Sequence, residues 1–316
     1  MSIPLLILVE VNPEGLASFE SAGFTLCMAT TPQDRANAAR TYGIDIRAVL
    51  TNGSTGFTAE EISTFPALEI ICAMGAGFEK VDLAAAQARG IVVTNGAGTN
   101  DASVADHAMA LLMSIARGIP QADAAVRRGE WAQSRQPRPM ISGKKLGILG
   151  LGNIGRQIAQ RAENGFNMHI SYHNRTPVAD SPYTYCKTPE DLATWADFIV
   201  IATPGGAATR HLVNASVLAA LGSNGFLINI SRGSVVDTSA LITALQHKHI
   251  AGAALDVLEG EPEVPAEIAT LTNIILTPHI AGRSPEAVAA TAQLVLQNLT
   301  AHFAGQPVWT PVPMPG

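Results

Sequence analysis

Aromatic side chains are scarce in this 316-residue chain, at 5%, and charged residues make up only 15% of it. So little charge beside 47% hydrophobic residues excludes intrinsic disorder, which needs the opposite balance. Basic residues are in the minority, with 20 Lys and Arg against 26 Asp and Glu and a net charge of -6. No basic block occurs, so nucleic acid and anionic membrane are poor partners. No apolar run reaches the roughly 20 residues that a membrane span requires. Ser2–Val11 has no Lys or Arg before its apolar run, and that run has about the length of a strand, well short of a membrane span. Cys27, Cys72 and Cys186 are odd in number and lack metal-ligand spacing, so they read as reduced thiols in a cytoplasmic protein. There is no Gly-x-Ser-x-Gly elbow and no Walker-type Lys after a Gly-rich loop, which excludes the hydrolase and P-loop readings. His247 and His249 flank Lys248 without further ligands nearby and read as surface residues, so no metal is expected.

Gly and Ala are plentiful, and the length suits two domains. Leu5–Val9, Ala48–Leu50, Glu69–Cys72 and Ile91–Val93 read as strands of a first series. Lys145–Leu149, Met168–Tyr172, Phe198–Ala202, Phe226–Ile230, Ala253–Val257 and Ile274–Leu276 read as a second. Helix-length segments such as Asp82–Arg89 separate them. The pattern predicts an α/β protein of two doubly wound parallel-sheet domains with right-handed crossovers. Asn100 can cap a helix of about 17 residues that carries Val104, Ala108, Leu111, Leu112 and Ile115 on one face. Pro285 opens a second long helix to about Phe303, which returns the chain after the second series. Residues 1–98 and 283–316 are therefore expected to form one discontinuous domain, and 99–282 the other. A ligand cleft is expected between them, with hinges near Gly98 and Gly282. Arg127–Met140 fits neither period and reads as a solvated loop or an arm to a second subunit. The tail Pro307–Gly316 is Pro-rich.

Gly150-Leu151-Gly152-Asn153-Ile154-Gly155 follows a strand and opens a helix. The first Gly suits a tight turn, the second a close approach of backbone to pyrophosphate, and the third close helix–strand packing. The helix N-terminus then offers unpaired N–H groups to phosphate. An NAD site would place a carboxylate after the next strand, on the ribose 2′-OH. That strand instead ends Tyr172-His173-Asn174-Arg175-Thr176, and Arg175 can pair with a 2′-phosphate through its planar fork. NADP(H) is expected to be preferred, with NAD(H) possible.

Three polar residues follow strands of the second series: Arg232 in Asn229-Ile230-Ser231-Arg232-Gly233, Glu261 in Leu258-Glu259-Gly260-Glu261-Pro262, and His279 in Thr277-Pro278-His279. The carboxyl ends of strands in a doubly wound sheet line the ligand crevice, so the three can converge. Their chemistry fits carbonyl reduction. His279 can donate a proton to the ketone oxygen, and a carboxylate can orient the imidazole and favour its protonated form. Arg232 can grip a substrate carboxylate and polarise the adjacent carbonyl. Glu259 competes with Glu261 for the orienting role, and Arg232 could instead bind a backbone carbonyl. His107 reads as structural or near a hinge.

These segments, with Gly75-Ala76-Gly77, Ala-Leu-Asp-Val-Leu-Glu-Gly-Glu-Pro through Pro262 and Thr277-Pro-His-Ile-Ala-Gly282, resemble the D-2-hydroxyacid dehydrogenases over nearly the whole chain. The resemblance implies a Rossmann nucleotide domain and a flavodoxin-like substrate domain, with Arg232, Glu261 and His279 catalytic. It implies that Met74, Gly75, Ala76 and Gly77 give backbone N–H groups to the substrate carboxylate. It places Asp256 on the nicotinamide carboxamide and Ala202, Thr203 and Pro204 beside the adenosine half. Val104, Ile230, Ser231, Arg232, His279 and Gly282 complete the cofactor set it implies. Arg283 is a candidate for the distal end of the substrate. Within the family, His173-Asn174-Arg175 is similar to NADP-using glyoxylate and hydroxypyruvate reductases, which implies reduction of small 2-keto acids to D-2-hydroxy acids. Formate dehydrogenases of this fold carry Gln where Glu261 stands. The resemblance also implies a homodimer through the nucleotide domain, using Asn100–Arg117 and the arm. Two alternatives are a reductase of a larger aromatic or sugar-derived 2-keto acid, whose size limit depends on loops near Phe78, Trp131 and Arg283, and a redox-sensing dinucleotide-binding regulator.

Overall fold

Strands buried on both faces of a parallel sheet carry near-continuous apolar sequence, and Ile-Pro-Leu-Leu-Ile, Ile-Ile-Cys-Ala-Met and Phe-Ile-Val-Ile are such runs. In the computed structural model, which describes residues 2–314, they lie in two parallel sheets belonging to two separate units. One unit comprises the chain through Asn100 and from Gly282 onward; the other is Asp101–Ala281.

The first unit holds β1 (Ile3–Ile7), α1 (Pro13–Ser21), β2 (Phe24–Met28), α2 (Pro32–Tyr42), β3 (Ala48–Asn52), α3 (Ala59–Thr64), β4 (Ile70–Met74), α4 (Leu83–Ala88) and β5 (Val92–Asn95). Its strand order is β2-β1-β3-β4-β5, the flavodoxin-like order. Helices cover both faces. Ala38, Ile62 and Ala86 of α2, α3 and α4 pack on one, while Phe19 of α1 and Val295 and Leu299 of the C-terminal helix Pro285–Phe303 pack on the other. Helix starts share one local device, a capping side chain followed by Pro. Asn12-Pro13, Thr31-Pro32 and Ser284-Pro285 each accept a backbone N–H three residues on, worth about 1 kcal/mol apiece. The tail closes the β5 edge: Asn95 N donates to Thr310 O, and Val312 N donates to Val93 O at 2.8 Å. The last two residues of the Pro-rich tail lie outside the described residues.

The second unit holds α5 (Asp101–Arg117), α6 (Ile119–Arg127), β6 (Lys145–Leu149), α7 (Asn153–Phe166), β7 (His169–His173), β8 (Thr184–Tyr185), α8 (Pro189–Trp195), β9 (Phe198–Ile201), α9 (Ala215–Leu221), β10 (Phe226–Asn229), α10 (Thr238–Gln246), β11 (Gly252–Leu255), α11 (Ala266–Ala269) and β12 (Ile274–Leu276). The order β12-β11-β10-β9-β6-β7-β8 is doubly wound, and its direction of growth reverses between β6 and β9. Buried Leu112, Ile115 and Ile158 of α5 and α7 cover one face; Leu192, Leu218 and Leu245 of α8, α9 and α10 cover the other.

Two strands escape the sequence pattern. β2 is an edge strand with buried Phe24 and Cys27 but exposed Thr25 and Met28, and β8 is two residues long. One expectation is corrected. Asn100 does not cap α5, because its buried Oδ1 has no hydrogen-bond partner. Its side chain lies instead against Gly282, where an added Cβ would come 2.6 Å from Asn100 Nδ2.

Candidate active site

The carboxyl ends of β10, β11 and β12 carry Arg232, Asp256 and His279 respectively. Asn229, buried at the end of β10, shapes the first loop: its Oδ1 accepts from Ser231 N and Ser231 Oγ, and its Nδ2 donates to Arg232 O at 3.0 Å. Arg232 is half-buried, and its Nη1 donates to the Ser231 carbonyl at 2.7 Å. The backbone-carbonyl contact weighed from the sequence is therefore present.

Asp256 is 1% exposed and works on the third loop. Its Oδ1 accepts from Thr277 Oγ1 at 2.6 Å and Ile280 N at 2.9 Å, and its Oδ2 accepts from Ala281 N at 2.9 Å. His107 of α5 adds its Nε2, 3.0 Å from Thr277 Oγ1 and 3.5 Å from Asp256 Oδ1. Burial pushes the Asp256 carboxyl up, but His107, Thr277 and the two N–H groups outweigh it and hold it below the ordinary carboxylate range. The backbone N–H of His279 donates to Asp256 O at 2.8 Å, and His279 itself has φ 55°, in the left-handed region that L-residues rarely occupy.

That backbone turn brings His279 Nδ1 to 2.7 Å from Glu261 Oε1, while Leu258 N donates to Glu261 Oε2 at 3.3 Å. Burial alone would raise the Glu261 carboxyl. The His279 hydrogen bond and charge, the Leu258 N–H and the Arg232 charge together lower it below its ordinary value. Arg232, Glu261 and His279 thus interact as one group. With Nδ1 committed to Glu261, Nε2 is the ring nitrogen left for a substrate.

The Gly-rich turn lies at the reversal point between β6 and β9. Gly150 has φ 105°, and a Cβ there would come 2.8 Å from the Ala202 carbonyl and Thr203 N. A Cβ at Gly155 would come 2.2 Å from Gly150 O, so this glycine is required by helix–strand packing. Gly152 faces open space, with nothing within 4 Å of a built Cβ, and as N-cap of α7 it leaves the helix start without a side-chain cap. The buried Thr203 Oγ1 beside this turn has no partner in the protein. An open helix N-terminus, a glycine facing space and an orphaned hydroxyl fit a dinucleotide pyrophosphate. Asn174 Oδ1 accepts from Leu151 N at 2.7 Å and braces the turn. His173 Nδ1 lies 3.0 Å from Cys186 O and its ring stacks on Tyr185, so the end of β7 is fixed while Arg175 and Thr176 stand exposed.

Of the remaining expected residues, Val104, Leu151 and Ile230 are buried in one core cluster, Ile154 packs against it, and Asn153 and Pro204 are exposed. In the first unit, Met74 ends β4 and Gly75–Gly77 follow it. Gly96 lies against them, a Cβ there coming 2.7 Å from Gly75 N, and Asn95 Nδ2 donates to Ala76 O at 2.8 Å. Arg283 is exposed. Sequence reasoning passed over Asn229 and Thr277 and gave His107 no task. Asn229 stood within a segment already singled out, but nothing in one sequence says what a polar side chain at a strand end will hold.

A doubly wound sheet with an open Gly-rich turn, and an Arg–Glu–His group at the ends of its strands, is the architecture of a dinucleotide-dependent oxidoreductase. The model for "D-isomer specific 2-hydroxyacid dehydrogenase, NAD binding domain" matches residues 109–281, and the chain belongs to that family. It is 42% identical over 290 residues to glyoxylate/hydroxypyruvate reductase A of Arabidopsis thaliana, covering 92% of each chain. It is also 42% identical over 268 residues to hydroxyphenylpyruvate reductase of Plectranthus scutellarioides, covering 84% of this chain and 85% of that one. The NADPH-dependent glyoxylate/hydroxypyruvate reductase of Sinorhizobium meliloti, solved with NADP and malonate, superposes with a TM-score of 0.88 at 37% identity, covering 99% and 97% of the two chains.

Proposed function

We propose that this chain reduces small 2-keto acids such as glyoxylate and hydroxypyruvate to D-2-hydroxy acids, with NADPH preferred over NADH. The observation that carries the chemistry is the 2.7 Å contact of His279 Nδ1 with Glu261 Oε1, in reach of the Arg232 charge. The carboxylate fixes the orientation of the ring, so His279 Nε2–H gives its proton to the carbonyl oxygen as negative charge develops there. Arg232 binds the substrate carboxylate and polarises the neighbouring carbonyl. The Met74–Gly77 loop offers backbone N–H groups to a carboxylate. A bound reduced nicotinamide dinucleotide supplies the hydride. Gly150–Gly155, Asn174 and Thr203 would hold its pyrophosphate side, Arg175 with His173 and Thr176 its 2′-phosphate, and Asp256 its carboxamide. The relatives named as glyoxylate/hydroxypyruvate reductases support the substrate class, and the NADP-bound neighbour supports the cofactor.

A second reading, reduction of an aromatic 2-keto acid, is favoured by the equally similar hydroxyphenylpyruvate reductase. Purified protein assayed with glyoxylate, hydroxypyruvate, pyruvate and hydroxyphenylpyruvate against both cofactors tests these readings. The highest kcat/KM is expected for a two- or three-carbon acid with NADPH. The aromatic acid in first place would favour the second reading. Tight NADPH binding without oxidation by any acid would make the chain a redox-sensing regulator.

The protein is further proposed to be a cytoplasmic homodimer. α6 and the segment after it expose Ile119, Val126, Trp131 and Met140, apolar side chains that a partner subunit would cover. The three free thiols suit a reducing compartment.

A further inference from the structure

Glu259 stands two residues before Glu261, and its carboxylate gathers side chains from other segments. Arg210 Nη2 lies 2.8 Å from Oε1, His211 Nε2 lies 3.2 Å from both oxygens, and Thr238 Oγ1 donates to Oε2 at 3.3 Å. His211 reaches the carboxylate from a left-handed backbone, φ 50°, anchored by its N–H on Ser234 O at 2.8 Å. Holding a residue with a Cβ in that region has a conformational cost, and it is met where the surroundings fix it.

These contacts surround a direct backbone junction. A Cβ at Gly233 would come 1.9 Å from the Leu258 carbonyl carbon and 2.2 Å from Glu259 N. The loop carrying Arg232 therefore rests on the loop carrying Glu261, with only a glycine hydrogen between them. Glu259 crosses that junction: its chain belongs to the Glu261 loop, while His211 ties it to Ser234 and Thr238 ties it to α10, both continuous with Arg232. An ordinary exposed ion pair joins two side chains and contributes little. Here one carboxylate, 27% exposed, joins three segments next to the junction.

We infer that Arg210 and His211, acting through Glu259, are positioning residues that set the separation of the Arg232 guanidinium from the Glu261–His279 pair and thereby the fit to the 2-keto acid. The inference rests on the reaction proposed above. Misplacing reacting groups by about 1 Å costs on the order of a hundredfold in rate, so partial loosening should be visible in kinetics without loss of the fold.

The test compares E259Q, H211N, R210M and R210K with wild type for keto-acid KM, kcat, NADPH Kd and Tm. Asn tolerates the left-handed region, so H211N removes the ring contact and keeps the turn. E259Q is expected to lower kcat/KM for the keto acid about 30-fold, with KM raised, and H211N and R210M about fivefold each. R210K is expected to recover to within about twofold of wild type, and NADPH Kd to stay within about twofold throughout. A merely structural role would lower Tm and the active fraction while leaving the KM of the surviving enzyme unchanged. Keto-acid KM within twofold of wild type in E259Q and H211N overturns the inference. If wild type reduces none of the acids, the reaction proposed above fails, and the clamp is judged from the crystal structure of E259Q. A displacement of the Arg232 guanidinium by about 1 Å or more relative to the Glu261–His279 pair then upholds it, and an unchanged separation overturns it.

Discussion

His279 Nδ1 faces Glu261 Oε1 at 2.7 Å across a loop junction that leaves Nε2 as the only ring nitrogen for other work. His279→Ala should lower kcat about 10²- to 10⁴-fold, the range for loss of a general acid, with NADPH affinity little changed. Glu261→Gln should lower it less, because the ring keeps a hydrogen-bond acceptor that orients it but loses the carboxylate charge beside it. Steady-state kinetics with glyoxylate and NADPH read both, and a wild-type kcat in His279→Ala would move the proton donor elsewhere.

Arg175 is exposed at the end of β7, beside the fixed His173 and Asn174. A charge-assisted contact to a 2′-phosphate is worth about 1.5–3 kcal/mol. Arg175→Ala should therefore raise KM for NADPH about 10- to 100-fold and leave that for NADH within about twofold. Equal losses for both cofactors would remove the 2′-phosphate role.

The Asp256 carboxyl is held below its ordinary value in the folded chain, although burial opposes this. A group whose folded pKa is depressed contributes stability that is present above its unfolded pKa and lost as pH falls through the folded value. Asp256→Asn should cost about 2 kcal/mol at neutral pH, the order for losing hydrogen bonds to a buried charge. Urea unfolding of both proteins should show that difference constant above about pH 5 and shrinking toward pH 3. A difference that grows on acidification would contradict the assignment.

Two glycines separate packing from ligand space. Gly233→Ala places a methyl 1.9 Å from the Leu258 carbonyl carbon and should cost more than about 3 kcal/mol or prevent folding. Gly152→Ala meets nothing within 4 Å and should leave Tm nearly unchanged, yet weaken NADPH at least about tenfold through overlap with the pyrophosphate. Thermal melts with cofactor titration distinguish the two. Unchanged NADPH affinity in Gly152→Ala would place the pyrophosphate elsewhere.

Runs such as Lys145–Leu149 and Ile274–Leu276 are legible because buried parallel strands leave continuous apolar sequence between helix-length gaps. Pro285–Phe303 is legible because Ser284 and Pro285 mark its start. β2 is not, since an edge strand with one wet face breaks the run, and β8 is too short to make one. At the site, strand-end position pointed to Arg232, Glu261 and His279, but the choice between Glu261 and Glu259 depended on side-chain direction, which spacing two residues apart leaves open. The Asn100 cap failed because that amide packs on Gly282, a contact 182 positions distant in sequence that no local rule carries.

The Thr310–Val312 segment lies along Val92–Asn95, the last strand of the five-stranded sheet, accepting from Asn95 N–H and donating to the Val93 carbonyl. Shortening the chain to Ala304 would strip that strand and present a row of unsatisfied amides ready to pair with another molecule. Such a shortened protein should therefore form aggregates in light scattering even though every residue of the proposed chemistry is still in it.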